Sequence, residues 1–392
     1  MNKAILNPEI QQFIQDNLRK DISKLILKGS PFKEISIQEL ATQISGLIRA
    51  ERKLPTWFKT DGIVFPPNLN LEQTSSEITA NYKSELIEGK VLVDITGGFG
   101  IDDLYFAKRF KKVIHCEMNA ELSELASHNF HVLGATNIDT FSGDGLSYLE
   151  NTSEKIDWIY LDPARRDDHG GKVFLLEHCT PNVPLNLKFL FSKAENILLK
   201  TSPLLDISLG IDELRKVIAI HVVAVNNEVK ELLWVLNRNI SSGIKIKTVN
   251  ITKKSTQILE SVLTEAQAGY DFKLPLKYLY EPNAAIMKSG LFSVLAEETG
   301  TFKLHNNSHL YTSEELKPFP GRSFEILNIL PYHKKTLKQA LKLEKANVTT
   351  RNFPRSVSEI RKELKLEDGG DHYLFFTTNF REEKIVLVCK KV

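Results

Sequence analysis

Four acidic residues stand where apolar runs stop, and each stop has the composition of a ligand-binding turn. The run Val91-Leu92-Val93 ends at Asp94 and passes into Ile95-Thr96-Gly97-Gly98-Phe99-Gly100. Glycines at such a turn allow positive φ and close backbone approach to a nucleotide-like ligand before a helix opens near Ile101. Twenty-three residues after Asp94, the run Val113-Ile114-His115-Cys116 ends at Glu117, placed to accept hydrogen bonds from both hydroxyls of a ribose. The segment Phe141-Ser142-Gly143-Asp144-Gly145 sets a third acid at a strand end, where it could accept the amine hydrogen of an adenine. The fourth stop is Leu161-Asp162-Pro163-Ala164-Arg165-Arg166, in which proline ends the ladder and forces an extended turn. Taken singly, each segment also has an ordinary reading: a strand-to-helix turn, a surface acid, a turn aspartate, a charged loop. A dinucleotide-dehydrogenase turn would carry its third glycine at position 103, which is Asp103.

The elements that must position these acids alternate. Strands are predicted at Val113 to Cys116, Ile138 to Ser142, Ile156 to Leu161, Asn196 to Leu199, Val217 to Val225 and Leu232 to Leu236, with a helix over Glu121 to Leu133. That alternation describes a parallel sheet with crossover helices. The connection Asn226 to Glu231 is too short for a crossover, so the last two strands should form an antiparallel hairpin. Ahead of the sheet, Ile10, Phe13, Ile14, Leu18, Ile22 and Leu25 repeat at helical spacing. A capping box at Ser36 and Glu39 opens another helix, Leu54 to Leu71 reads as a linker or surface-hugging loop, and Thr74 with Glu77 suggests a further capping box. Beyond a middle stretch with a strand near Ile244 to Ile251, a βαβαββ order is predicted. It comprises Phe324 to Leu330, Lys334 to Lys345, Asn347 to Asn352, Val357 to Leu366, Asp371 to Thr378 and Lys384 to Cys389. The expected organisation is a helical region over 1–72, an α/β domain over 73–250, a middle region over 251–318 and a small α/β module over 319–392.

The order glycine turn, Glu117, Asp144 and Asp162-Pro163 resembles the class I S-adenosylmethionine-dependent methyltransferases, whose Rossmann-like sheet ends in an antiparallel hairpin. The resemblance implies that Asp94, Thr96, Gly97, Gly98 and Gly100 cradle the methionine part of S-adenosyl-L-methionine, that Glu117 holds its ribose and Asp144 its adenine, and that Asp162 and Pro163 face the methyl acceptor. More closely, these motifs, with Glu72-Gln73-Thr74-Ser75-Ser76-Glu77, Tyr280-Glu281-Pro282-Asn283-Ala284-Ala285 and Phe319-Pro320-Gly321-Arg322, are similar to a bacterial methyltransferase group. That group carries a ferredoxin-like insert and a C-terminal THUMP-like domain, which implies an RNA substrate, tRNA or rRNA.

Enzymes that methylate exocyclic base nitrogens often carry Asp/Asn-Pro-Pro-aromatic, the ring stacking on a flipped base. Here Ala164 and Arg165 replace proline and the ring, so Arg165 and Arg166 are candidates to stack on a base or pair with phosphate. Lys200-Thr201-Ser202-Pro203, at the strand end where pyrimidine C5 methyltransferases place a nucleophile, holds no cysteine. Direct displacement is therefore expected in place of a covalent intermediate.

The 392 residues are 42% hydrophobic with a net charge of +2, as in an ordinary globular protein. No apolar run reaches the roughly 18 residues of a membrane span, and Met1 to Lys20 lacks a signal-peptide core. Three scattered cysteines and scattered histidines match neither a disulfide framework nor a metal site, which suggests a cytoplasmic protein without a metal. From Lys317 to Val392 there are 16 Lys/Arg against 9 Asp/Glu. Lys334, Lys338, Lys342 and Lys345 share one helix face, and Arg361, Lys362 and Lys365 decorate the next helix. Alone this is a solvated surface; beside the resemblance it favours contact with an RNA backbone. Two other readings remain, a non-catalytic RNA-binding or assembly protein that keeps the fold, and a methyltransferase of protein or DNA. The complete set Asp94, Glu117, Asp144 and Asp162 argues against the first of them.

Overall fold

The computed structural model describes residues 1–66, 74–165, 175–239, 243–263, 269, 271–333, 337, 340, 341 and 343–392. Nine strands make the first sheet: β1 (Gly89–Asp94), β2 (Phe110–Glu117), β3 (Ile138–Ser142), β4 (Ile156–Leu161), β5 (Ala194–Thr201), β6 (Val217–Val225), β7 (Glu228–Asn237), β8 (Lys245–Ile251) and β9 (Thr256–Val262). Their order is β9-β8-β6-β7-β5-β4-β1-β2-β3. β1 pairs in parallel with both β2 and β4, so the chain winds outward to β3 and then returns to the other side of β1. A crevice opens at that reversal, beyond the carboxyl ends of the strands, and ligands of such sheets bind there.

The hairpin is tighter than its sequence suggests. Asn226 and Asn227 both take positive φ, 50° and 67°, as a two-residue type I′ turn requires. Pairing therefore resumes at Glu228, within a polar stretch, before the apolar run at Leu232 that marks the strand in the sequence. The strand expected near Ile244 to Ile251 lies parallel to β6, and β9 adds antiparallel to it, so the sheet continues past residue 250.

Three N-terminal helices, α1 (Pro8–Asp16), α2 (Ile22–Lys28) and α3 (Ile37–Lys53), precede a short α4 (Pro55–Lys59). Ser36 and Glu39 form the expected capping box. The stretch expected to be a linker is instead partly core. Pro55 opens α4 at the position where its missing N–H is harmless, and Trp57, Ile63, Val64 and Phe65 are buried. The cap of α5 (Glu77–Ser84) also differs: Ser76 and Thr79 exchange the capping hydrogen bonds, not Thr74 and Glu77. Glu77 is free for another task because its carboxylate turns inward, accepting from Thr56 N–H at 2.6 Å, Thr56 Oγ1 at 2.8 Å and Tyr105 Oη at 2.9 Å.

Seven strands make the second sheet: β10 (Tyr278–Pro282), β11 (Phe302–Lys303), β12 (Tyr311–Ser313), β13 (Gly321–Pro331), β14 (Asn347–Arg351), β15 (His372–Thr378) and β16 (Lys384–Lys391), in the order β11-β12-β10-β13-β16-β15-β14. The middle and C-terminal modules thus share one sheet, joined where β10 pairs with β13. Glycine is needed at that joint, since a Cβ on Gly321 would lie 2.0 Å from the Glu281 carbonyl oxygen. The predicted strands of the C-terminal module and a helix at Val357–Leu364 are present, whereas half of the residues of the helix expected over Lys334 to Lys345 lie outside the described residues. By internal contacts the chain forms two units, Met1–Ile218 with Leu233–Ser241, and Ala219–Leu232 with Ser242–Val392.

Candidate active site

The turn after β1 is held by bonds to Asp94, Thr96 and Glu117, and two of its glycines leave no room for a Cβ. Asp94 Oδ1 accepts from Thr96 N–H at 2.7 Å and from Thr96 Oγ1 at 3.1 Å. Thr96 Oγ1 in turn accepts the Asp162 N–H at 2.7 Å, tying the end of β4 to the glycine turn. Gly97 N–H bonds the Cys116 carbonyl at 2.8 Å, and Gly98 N–H bonds Glu117 Oε2 at 2.9 Å. A Cβ on Gly97 would meet the His115 ring at 2.3 Å. Gly100, at φ 79°, caps α6 (Ile101–Phe106) from the left-handed region, with the Phe130 ring 2.2 Å from where its Cβ would be. Asp94, Thr96, Gly97, Gly98, Gly100 and Asp162 line one cavity of about 220 Å³, together with Thr74, Ser75, Asp102 and Tyr160. A larger groove of about 970 Å³, against the helices Val183–Lys193 and Ile207–Leu214, contains none of the four acids, so cavity size alone would misplace the site.

Three neighbouring carboxyls under the turn are driven to different charge states. Burial pushes Asp94 well above the usual aspartate range, and the proximity of Asp103 adds to this. Burial and the nearby Asp102 do the same to Asp103, which is fully buried and 2.6 Å from His115 Nδ1. Burial lowers His115, favouring the neutral ring. Asp102 goes the other way. Burial opposes its charge, but Lys83 and Lys200, with hydrogen bonds from Tyr160 and Ser75, hold it below the usual range. Ser75 Oγ donates to Asp102 Oδ2 at 2.9 Å, Tyr160 Oη donates to the same oxygen at 2.7 Å, and buried Lys83 lies 3.2 Å from Oδ1. Asp102 Oδ1 accepts no hydrogen bond. One carboxylate charge, held by the Lys83 ammonium, thus sits beside two carboxyls that favour the protonated form.

Asp162 follows β4, and its carboxylate pairs with the Nζ of Lys200 on β5. Pro163 behind it is buried; Ala164 and Arg165 make a two-residue ladder with Thr180 and Cys179. The other expected site residues are placed differently. Glu117 does not line the cavity; its oxygens accept from Gly98 N–H and, at 2.8 Å, from Asn119 N–H. Asp144 is exposed and caps α8 (Gly145–Asn151), accepting from Leu146 and Ser147 N–H. Arg361 is paired with Asp368, and Lys365 ends its helix in the left-handed region at φ 58°. Arg166, Lys334, Lys338 and Lys342 lie outside the described residues. Thr74, Ser75, Lys83, Asp102, Asp103, Tyr160 and Lys200 are the residues that sequence reasoning passed over. Among the described residues no group of three or more potential ligands could hold a metal, and no helix is long and apolar enough to cross a membrane.

The N-terminal helices hold this turn from behind. Phe99, within the glycine turn, is buried against Trp57 and Phe65, with ring centroids 4.8 and 5.7 Å away. Asn129, on α7 (Ala120–Val132), bonds both the N–H and the carbonyl of Val64, at 2.9 and 2.8 Å. The first region therefore forms the rear wall of the turn.

A sheet of this order, with a glycine turn after β1 and an acid after β4 on one crevice, defines a Rossmann-like α/β fold of the class I methyltransferase type. Residues 278–320 match a ferredoxin-like domain family, and residues 321–391 match a family described as THUMP domain-like. A crystal structure from Porphyromonas gingivalis W83 that carries a methyltransferase name is 34% identical, covering 100% of this chain and 98% of that one, with a TM-score of 0.89. An uncharacterized RNA methyltransferase of Mycoplasma mobile is 31% identical over 135 residues, which is 33% of this chain and 37% of that relative's length. The chain belongs to the family of the P. gingivalis protein, methyltransferases that carry a ferredoxin-like domain and a C-terminal THUMP-like domain.

Proposed function

We propose that the protein uses S-adenosyl-L-methionine to methylate RNA, tRNA or rRNA, at a base nitrogen by direct displacement. The observation that carries this reading is the meeting of the Asp94 to Gly100 turn and Asp162 on one cavity at the reversal of the sheet. The residues suit the cofactor. The turn is a cradle that a Cβ at Gly97 or Gly100 would distort, and Asp102, held ionised by Lys83, lines the same cavity. Asp94, Thr96, Gly97, Gly98 and Gly100 would hold the methionine part, joined by Asp102 and Ser75. Each Glu117 oxygen accepts one backbone N–H and keeps a lone pair for a ribose hydroxyl, and Asp144 stands at the next strand end for adenine. When bound, the cofactor supplies an electrophilic methyl group on a sulfonium.

Asp162 accepts a hydrogen of the acceptor amine, aims the nitrogen lone pair, and takes the proton the nitrogen gives up. Alignment of this kind removes roughly 7 to 11 kcal/mol of barrier. A covalent route lacks a nucleophile, since Cys116, Cys179 and Cys389 are all buried and burial pushes the Cys116 thiol up. Arg165 and Arg166 follow Asp162 as candidate contacts to base or phosphate, and the basic C-terminal module, including exposed Lys365, supplies backbone contacts. Three buried cysteines outside any disulfide suit a cytoplasmic protein.

The test is incubation with labelled S-adenosylmethionine and RNA, DNA and protein fractions from a strain lacking the gene. Label should enter RNA. Label only in DNA or protein would overturn the acceptor, and label in none would overturn the enzyme. Asp162→Ala should abolish turnover while cofactor affinity stays nearly intact; joint loss of both would refute the role given to Asp162.

A further inference from the structure

We propose that Lys200 is a positioning residue for methyl transfer, fixing the Asp162 carboxylate so that a single oxygen is presented to the acceptor amine. This rests on the reading of Asp162 given above. In the parallel register Leu161 lies beside Leu199, so residues 162 and 200 are neighbours just beyond that pairing at the carboxyl ends of β4 and β5. The Lys200 side chain is 10% exposed and that of Asp162 36% exposed, so the cation sits in the wall while the carboxylate reaches the cavity. Lys200 Nζ takes Asp162 Oδ2, and Thr96 Oγ1 takes the Asp162 N–H at 2.7 Å. With backbone and one oxygen fixed, Oδ1 is left without a hydrogen bond from any described residue, available to accept from an amine.

The lysine is itself held at its base. The next residue, Thr201, accepts the indole N–H of fully buried Trp234 at 2.9 Å, and Trp234 packs where a Cβ on Gly210 would come within 2.3 Å. Stability alone accounts poorly for such a pair. Taking an ammonium out of water is costly, and buried ion pairs can often be replaced by apolar residues without loss of stability. A rigid lysine beside the carboxylate that meets the acceptor has a reason to be there that an apolar pair would lack. Lys200 also acts on Asp102, but Asp102 keeps buried Lys83 at 3.2 Å, so removing Lys200 leaves that carboxylate with its nearer cation.

The test compares Lys200→Met, Lys200→Arg and Asp162→Ala with wild type. Readouts are single-turnover methyl transfer to RNA from the deletion strain, cofactor Kd by calorimetry, melting temperature, and crystal structures of the variants. Lys200→Met should slow transfer about 100-fold, the scale of a 1 Å misplacement, with cofactor Kd unchanged. Lys200→Arg should recover most of the rate, and the Lys200→Met crystal structure should show the Asp162 carboxylate rotated with its N–H still on Thr96. A wild-type rate in Lys200→Met, a parallel loss of cofactor affinity, or an unmoved Asp162 carboxylate would overturn the proposal. If Lys200→Met does not fold, Lys200→Gln carries the same comparison. An active Asp162→Ala would instead sink the reading of Asp162, whereas an inactive Asp162→Ala beside a fully active Lys200→Met would sink this inference alone.

Discussion

Gly97→Ala tests whether the site depends on the shape of the turn or only on its flexibility. The added Cβ would lie 2.3 Å from both Cε1 and Nδ1 of His115, and ordinary contact begins near 3.4 Å, so something must move by about 1.1 Å, the difference between the two. The ring cannot yield easily. It is fully buried, bonded through Nδ1 to Asp103 at 2.6 Å, and edge-on to Phe130 at 5.3 Å. The turn must move instead, straining the bonds from Gly97 N–H to Cys116 and from Gly98 N–H to Glu117. Overpacking of this kind costs about 1 to 3 kcal/mol, which predicts roughly 5- to 150-fold weaker binding of S-adenosylmethionine. The assay is calorimetry on four proteins: wild type, Gly97→Ala, His115→Ala and the double variant. Removing the ring removes the obstacle, so Gly97→Ala should cost little in the His115→Ala background. Equal penalties in both backgrounds would refute the steric argument, and unchanged affinity of Gly97→Ala alone would refute the placement of the cofactor on this turn.

Three further outcomes are expected. Asp103 keeps its proton in the folded protein over a pH range in which the unfolded chain has lost it, so its contribution to stability falls as pH rises above the ordinary aspartate range. Asp103→Asn cannot ionise, so its stability relative to wild type in urea should improve from about pH 4 to about pH 8, and a difference independent of pH would count against the raised value. Phe99→Ala should cost about 3 to 5 kcal/mol in urea unfolding, because the ring is buried against Trp57 and Phe65; a loss below about 1 kcal/mol would show that the N-terminal helices do not clamp the turn. RNA affinity should fall steeply with salt, by about 0.7 to 0.9 logarithmic units per phosphate contact for each tenfold rise, and replacing Lys362 and Lys365 should flatten the slope; a flat wild-type slope would remove the electrostatic footing of the RNA reading.

The strand ends at Asp94, Glu117 and Asp162 were readable because a buried parallel strand is a continuous apolar run, and the polar residue that stops it falls on the ligand side of the sheet. The same logic found the glycine turn but not what lies beneath it. Asp102 and Asp103 sit one and two residues into a helix, where acids are ordinary first-turn residues, and only burial gives them opposite charge states. Lys200 was legible in principle, as a cation ending a strand beside a strand that ends in Asp162, but that requires the register of β4 against β5. Glu117 and Asp144 show the limit of position alone. Acids at strand-to-helix turns meet free backbone N–H groups, and both carboxylates satisfy such groups here. Over residues 54–66 the linker reading failed because proline was taken as a breaker, when Pro55 starts a helix that buries Trp57; the rest of the stretch lies outside the described residues.

Phe99 belongs to two structures at once, the glycine turn after β1 and the hydrophobic core of the N-terminal helices. Because one apolar cluster holds both Phe99 and the buried face of α3, local opening of α3 and loss of the turn are expected to be coupled. Any ligand that orders the turn lends its binding energy to helices it does not touch, about 2.7 kcal/mol at a concentration one hundred times Kd. Slower amide exchange in α3 would then report occupancy of the turn even while the acceptor is unidentified.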